Sequence, residues 1–200
     1  MARTKSKTPP YLGENLSQIK KLGLQNNIND LEIDGFTIIP PKKVASTQFL
    51  NKKIVFLFIE KYLLGQLNLE LLEQDANKSK KMADEIIEQG IKNKLSEIWG
   101  TEATLYYPGK YAGTCDACGV YEGQETIIDF KQSNKPKKEE WIEDYYLQLG
   151  AYSLAHNIVY NSKITQGIVL LCTVDNLFQD FKIQGTKLEE YQNKFLEKVE

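Results

Sequence analysis

The sequence predicts an α/β fold, more narrowly an α+β arrangement in which helices flank a central mixed β-sheet. Its 200 residues include 42% hydrophobic and 26% charged residues, which suits one domain with a buried core. Apolar residues at helical spacing dominate the first half, and strand-like segments alternate with helices in the second half. This order, without an internal repeat, indicates one sheet covered by helices.

The composition limits the environment in which the protein works. The chain carries a formal net charge of −2, three cysteines and one histidine. An odd number of cysteines indicates a reducing compartment, and one histidine excludes a histidine-rich metal site. No apolar run has the length of a membrane-spanning helix, and the basic N-terminus lacks the apolar stretch of a secretory signal. We expect an intracellular protein, in the cytoplasm of a bacterium or phage-infected cell rather than in a mitochondrion.

The domain organisation follows from the same patterns. Residues 1–30 are polar and predict a basic tail with a lead-in, and residues 31–200 predict one domain that starts with a hairpin at 31–39. The remaining predicted elements are helices at 44–73 (with a break at Gly65) and 77–99, strands at 103–107, 111–121 and 125–131, a helix at 139–160, strands at 164–174 and 178–183, and a last helix starting at Thr186.

Two aspartates oppose each other in the predicted hairpin at 111–131. A two-residue turn at Glu122–Gly123 puts Asp116 directly across from Asp129, with Cβ atoms about 4.5–5.5 Å apart. Because like charges at that separation repel, the pair needs a compensating cation. Carboxylate oxygens are hard ligands that suit Mg²⁺ or Mn²⁺. The hairpin therefore predicts a divalent metal site, with an exposed, salt-bridged hairpin face as the alternative.

Lys131 shares a strand face with one of these aspartates. Strand alternation places its side chain beside Asp129, while Ile128 and Phe130 point to the core. A cation next to a metal pair can hold a phosphate group and stabilise negative charge in a transition state. The pattern thus favours chemistry on a phosphodiester.

Three motifs follow one another along this part of the chain. They are G-T-x-D at 113–116, I-I-D-F-K at 127–131 and Q-L-x-A-Y at 148–152. In this order and spacing they resemble the PD-(D/E)XK nuclease superfamily, and within it the RecB-type branch that includes mitochondrial genome maintenance exonucleases and phage exonucleases. The resemblance covers about residues 44–200 and implies a restriction-endonuclease-like core.

The resemblance also implies roles for the matching residues of the hairpin. Asp116 and Asp129 correspond to the metal-binding, catalytic acids of that superfamily. The backbone carbonyl of Phe130 corresponds to an additional metal ligand, and Lys131 corresponds to the catalytic lysine. The implied cofactor is Mg²⁺ or Mn²⁺.

The acid that the family supplies from an upstream helix is less clearly placed. The segment Ile59–Leu63 matches the second half of the family's helix pattern, which makes Glu60 the candidate for a catalytic and metal-binding acid. The family's histidine in that pattern falls at Phe56, so this sequence departs from it. A solvated helix charge is the alternative for Glu60. The other candidates for the upstream acid are Glu85, Glu88 and Glu102.

Contacts to DNA are expected from the helix that follows the hairpin and from the loop between them. Gln148 and Tyr152 are four residues apart and share a helix face, and the resemblance assigns them to orienting the lysine or contacting DNA. The loop candidates for phosphate contacts are Ser133, Lys135, Lys137 and Lys138. The aromatic residues Trp141, Tyr145 and Tyr146 either stack on unpaired bases or pack against the core.

The cysteines suggest a competing class of function. Cys115-x-x-Cys118 has the spacing of zinc and redox sites, but three cysteines are too few for a four-cysteine iron–sulfur cluster, and none is expected. On a strand, Cys115 and Cys172 are expected to be buried as small hydrophobic residues. His156, one helical turn after the third motif, is expected to be structural or exposed.

The leading functional prediction is a metal-dependent deoxyribonuclease. It would be an exonuclease that cleaves single-stranded DNA or DNA ends in replication, recombination or repair, acting as a monomer away from membranes. The alternative, favoured by Phe56 in place of the family's histidine, is a nuclease-fold subunit without catalysis that binds DNA or builds a complex.

Overall fold

The computed structural model describes residues 47–65 and 74–199. The predicted tail at 1–30, the hairpin at 31–39 and the domain boundary between them lie outside these ranges. The described elements are α1 (Thr47–Leu63), α2 (Gln74–Glu85) with a π-helical turn (Ile86–Ile91), β1 (Leu95–Tyr107), β2 (Tyr111–Tyr121), β3 (Gln124–Ser133), a 3₁₀ turn (Glu139–Trp141), α3 (Glu143–Tyr160), β4 (Gln166–Thr173), β5 (Phe178–Gln184) and α4 (Thr186–Val199).

The strands form one mixed sheet in the order β1-β2-β3-β4-β5. Among the described strands, β3 and β4 pair in parallel, and the other three strand pairs are antiparallel. The parallel pair requires a crossover connection, which α3 supplies. The predicted mixed sheet flanked by helices is therefore confirmed, and β2 occupies the range predicted from the sequence.

The prediction of one helix over 77–99 is wrong at its C-terminal end. The helix changes to the π-helical turn and stops before Asn93, whose φ of 62° lies in the left-handed region that asparagine tolerates. Leu95 and Ile98 keep helical spacing but belong to β1. Register shifts in the pairing of β1 with β2 let both residues pack against the same core. An irregular strand therefore mimicked a helical pattern.

Helices cover both faces of the sheet. The α1–α2 side contains the main apolar cluster, in which Ile59 and Ile86 pack with Ile128 and Leu170. On the opposite side α3 contacts β1 to β4, and α4 packs on α3. Within residues 47–65 and 74–199, the helices are too short or too polar to cross a lipid bilayer.

Replacing Gly150 with alanine is expected to destabilise the protein. A Cβ at Gly150 would lie 2.7 Å from the carbonyl carbon of Tyr191, so α3 and α4 would have to separate. Forced repacking of this kind costs about 1–3 kcal/mol. Thermal unfolding should show a lower melting temperature for Gly150→Ala. Gly100→Ala is the matched control, because its Cβ would meet no atom closer than 3.7 Å; equal melting temperatures for the two variants would contradict the expectation.

Candidate active site

The hairpin of β2 and β3 has the register expected from the sequence. Its pairs run from Tyr121 opposite Gln124 to Ala117 opposite Ile128. The turn residues between the strands have φ values of 48° and 77°, as a two-residue turn of the I′ type requires. The next residue along each strand after the Ala117–Ile128 pair is an aspartate, so the hairpin brings both predicted acids to the same place.

The side chain of Asp116 binds the backbone of the opposite strand, β3. Its carboxylate Oδ2 accepts a 2.8 Å hydrogen bond from the backbone N–H of Phe130. The carboxylate therefore holds the peptide group that joins Asp129 to Phe130, beyond the last paired residues of the hairpin. This bond links the first predicted acid to the backbone of the second.

Asp129 and Lys131 form a buried ion pair. Lys131 Nζ lies 2.5 Å from Asp129 Oδ1, and the two side chains are 10% and 2% exposed. The Lys131 ammonium also lies 5.2 Å from the centroid of the Tyr145 ring, a cation–π distance. Burying two charges is costly unless each is compensated, so this arrangement marks the position as one where charge is needed.

Helix α3 extends the ion pair into a row of polar groups. Lys131 Nζ donates to Gln148 Oε1 at 3.3 Å, and Gln148 Nε2 donates to Tyr152 Oη at 3.3 Å. The four-residue spacing of Gln148 and Tyr152 puts both on the helix face that meets β3. The structure thus places Asp129, Lys131, Gln148 and Tyr152 in one row, with Asp116 bonded to the backbone of the next residue, Phe130. The roles of these residues stay predictions.

The pKa of the Tyr152 phenol is raised by its surroundings in the site. Burial is the main cause that raises the pKa of Tyr152, and the hydrogen bond from Gln148 partly opposes this rise. The charges of Asp129, Cys115 and Asp116 raise the pKa by smaller amounts. Tyr152 therefore keeps its proton at neutral pH.

Gly113 provides the room for Tyr152. A Cβ at Gly113 would lie 2.8 Å from Cε1 of the Tyr152 ring. Close packing against Tyr152 therefore explains why glycine occupies this position of the first motif, which the sequence alone did not show.

We expect Gly113→Ala to displace the Tyr152 ring and break its link to Gln148. Because both residues act on Lys131 through one row, activity of the proposed site should fall by about 10–100-fold, as for other supporting residues of metal sites. Steady-state kinetics of the single and double variants measure this. In a Tyr152→Ala background the added methyl group should cost nothing further, whereas additive losses would contradict the packing explanation.

Glu60 of α1 contacts strand β1 of the sheet. It accepts a 3.4 Å hydrogen bond from Thr101 Oγ1 on β1. One helical turn earlier, the ring of Phe56 packs on Phe130 with centroids 6.0 Å apart, so the position of the family's histidine is an apolar contact. Across residues 47–65 and 74–199, no three His, Cys, Asp or Glu side chains are grouped to hold a metal ion. The role of Glu60 stays a prediction.

The other three upstream candidates occupy different surroundings. Glu85 accepts a hydrogen bond from Gln89, and Glu88 forms an exposed ion pair with Lys92. Glu102 is exposed on β1 with a φ of 50°. The contacts that the structure gives for Glu85 and Glu88 are to Gln89 and Lys92, not to the aspartates of the hairpin.

The lysine-rich loop after β3 is held in a fixed conformation. The N–H of Lys137 donates to Gln179 Oε1 at 2.8 Å, and Gln179 Nε2 donates back to the Lys137 carbonyl at 3.0 Å. Ser133 Oγ donates to the carbonyl of Lys135 at 2.7 Å. Strand β5 thus anchors the loop through Gln179, a contact that no sequence pattern indicated. Whether these lysines bind DNA stays a prediction.

The aromatic residues near this loop do not share one environment. Tyr146 is buried in the core, whereas Trp141 is 62% exposed. Lys138 Nζ lies 5.4 Å from the Trp141 ring centroid. Of the two alternatives, packing against the core therefore applies to Tyr146, whereas the Trp141 side chain is open to solvent.

The three cysteines are free and buried. A hydrogen bond with Cys115, assisted by His156, lowers the pKa of Cys118 to about 6, and the same interaction raises the pKa of Cys115. His156 is itself buried, contacts Ser162 Oγ at 2.6 Å and stacks on Trp99. Burial of Cys115 and Cys172 was predicted, and of the two alternatives for His156, structural or exposed, the structure shows a buried residue. The interaction of Cys118 with His156 was not predicted, since only the fold brings β2 and α3 together.

The fold and this row of residues define a mixed-sheet α+β protein with a polar site at one hairpin. No protein-family model matches the sequence, and no curated protein matches it. Among solved structures, a candidate exonuclease from Eubacterium rectale is similar with a TM-score of 0.50 and 9% identity, over 82% of this chain and 68% of that one. An alkaline exonuclease from Laribacter hongkongensis gives a TM-score of 0.27 and 13% identity, over 80% and 84% of the two chains. The first likeness concerns the fold alone, and the second is too weak to support an argument.

Proposed function

We propose that the protein is a metal-dependent nuclease that hydrolyses phosphodiester bonds of DNA. One observation carries the proposal: a buried Asp129–Lys131 ion pair, 2.5 Å long, stands beside Asp116 and continues into Gln148 and Tyr152. The name of the Eubacterium rectale protein, a candidate exonuclease with a similar fold, agrees with this chemistry.

The donor set suits a hard divalent ion. The carboxylates of Asp116 and Asp129, with the Phe130 carbonyl as the further ligand that the family resemblance implies, offer oxygen atoms, which Mg²⁺ and Mn²⁺ prefer, and water would complete the coordination. When bound, the ion supplies an activated water molecule and neutralises charge on the phosphate. Glu60 is proposed as an assisting acid.

The protein's own side chains perform the remaining tasks. Lys131 carries the positive charge that a pentavalent phosphate requires, and Gln148 fixes its ammonium group. Tyr152, protonated because burial raises its pKa, accepts from Gln148 and can donate its own proton to a phosphate oxygen. Ser133 and the loop lysines 135, 137 and 138 are proposed to contact the DNA backbone.

The finer proposals concern the substrate and the setting. We propose that the enzyme is a monomeric exonuclease for single-stranded DNA or DNA ends, and that it serves DNA replication, recombination or repair in a bacterial or phage-infected cell. The sequence motifs and their family resemblance support this assignment.

A second candidate is a nuclease-fold subunit that binds DNA without cleaving it. The apolar contact between Phe56 and Phe130 supports this alternative, because it occupies the position from which the resembled family supplies a histidine.

A cleavage assay separates the two candidates. Labelled linear and circular DNA, single- and double-stranded, is incubated with Mg²⁺, Mn²⁺ or EDTA and with wild type, Asp129→Asn or Lys131→Ala. The nuclease proposal expects cleavage that needs metal and is lost in both variants, and an exonuclease spares circular DNA. Absence of metal-dependent cleavage, together with retained DNA binding, would favour the second candidate.

A further inference from the structure

A cleft of about 390 Å³ opens beside the candidate active site, between β2, α3 and α4. Its floor consists of the buried α3 residues Leu147 and Ala151. Tyr111 of β2 and Phe195 of α4 form its aromatic walls. Clefts with mostly apolar walls and a few polar groups are typical of small-molecule sites.

The aromatic walls are fixed by contacts within the protein. Tyr111 Oη donates a 2.8 Å hydrogen bond to the carbonyl of Ala151, and its ring meets the edge of Phe195 at a centroid distance of 4.8 Å. A second aromatic contact, with Tyr107, supports Tyr111 from the side. Ligand binding in the cleft therefore requires little loss of conformational entropy from these side chains.

The cleft and the candidate active site share two residues. Gln148 and Tyr152 line the cleft, and the same Gln148 accepts the hydrogen bond from Lys131. A phosphate held at Lys131 would thus have its attached nucleoside directed along Gln148 and Tyr152. A planar base is the part of a nucleotide that suits aromatic walls.

The rim carries one charge of each sign. Asp144 and Lys198 stand at the edge of the cleft and are both exposed. The carboxylate can accept hydrogen bonds from amino or hydroxyl groups, and the ammonium group can pair with a phosphate. A nucleotide offers both kinds of partner together with an aromatic face.

We propose that this cleft binds the base of the nucleotide next to the phosphate at Lys131. The inference rests on the proposed nuclease function. It adds a reason why the protein would bind DNA strands that carry bases more tightly than a phosphodiester backbone without bases. It predicts that the protein distinguishes DNA that has bases from a backbone that has none.

The test is a binding experiment in EDTA, where no cleavage is needed. Fluorescence anisotropy compares a thymidine dodecamer with an abasic dodecamer of the same charge, in a Trp141→Ala background that removes the exposed ring of the loop. The starting protein should prefer the thymidine strand by at least about fivefold, since stacking of one base has this strength. Ala112→Met, which fills the cleft from its exposed edge without adding an aromatic face, should remove this preference and leave abasic binding unchanged.

Thr104→Met, an exposed substitution on β1 outside the cleft, is the matched control and should retain the preference. Equal binding of the two strands by the starting protein, or a preference that survives Ala112→Met, would overturn the proposal. Failure of the nuclease function shows up separately, as an inactive protein that still prefers strands with bases. Melting temperatures confirm that each variant is folded.

Discussion

Replacing Lys131 with methionine is expected to destabilise the protein by about 3–5 kcal/mol in metal-free buffer. The substitution keeps the apolar stem but removes the ammonium group that lies 2.5 Å from Asp129 Oδ1. Because Asp129 is 1% exposed, its charge would then be buried without its cation. Chemical denaturation in EDTA measures the loss.

The double variant Asp129→Asn/Lys131→Met should recover most of this stability, since both charges are then absent. Lys182→Met removes the cation of an exposed pair with Glu122 and should change the free energy of unfolding by less than about 1 kcal/mol. If Lys131→Met changed the free energy of unfolding as little as this control does, loss of the Lys131 charge would not leave a costly buried charge at Asp129, and the expectation would be contradicted.

We expect Asp116→Asn to reduce metal-dependent cleavage by at least about a hundredfold at a fixed Mn²⁺ concentration. Asparagine keeps an oxygen that can accept from the N–H of Phe130, so the hairpin should stay intact. It removes one negative oxygen donor, and even residues that only support a metal ligand alter affinity by about 10–100-fold. Initial rates over a Mn²⁺ titration measure the effect on metal-dependent cleavage, and melting temperatures measure any effect on the stability of the hairpin.

Asp175→Asn, which neutralises an exposed acid in the β4–β5 turn, is the control for net charge and should cleave like wild type. Cleavage by Asp116→Asn at the wild-type rate would remove Asp116 from the proposed ligand set. A large drop in its melting temperature would instead assign Asp116 to holding the hairpin together.

The hairpin shows why part of the site could be predicted from sequence. Its register depends on local information, a two-residue turn and strand alternation, and these fix Asp116 and Asp129 next to each other. The spacing of Gln148 and Tyr152 is equally local, because a helix places residues four apart on one face. In the structure Asp129 and Gln148 contact Lys131, Tyr152 contacts Gln148, and Asp116 binds the N–H of Phe130.

Long-range placement could not be predicted in the same way. The position of Glu60 depends on how α1 packs against the sheet, and there it contacts Thr101 rather than the hairpin acids. The anchoring of the lysine loop depends on Gln179, forty-two residues beyond Lys137. The end of α2 was mispredicted because register shifts in β1 imitate helical spacing. In each case the deciding contact joins segments distant in sequence.

The parallel pairing of β3 with β4 has a consequence for how the site is assembled during folding. Apart from Glu60, the residues of the proposed site lie between Gly113 and Tyr152, on the hairpin, on the loop after it and on the helix that connects β3 to its parallel partner β4. Elements that follow one another along the chain and pack together tend to open as one cooperative unit. In native-state hydrogen exchange, the amides of β2, β3 and α3 should therefore exchange as a group, and the active-site geometry should persist as long as this unit stays closed.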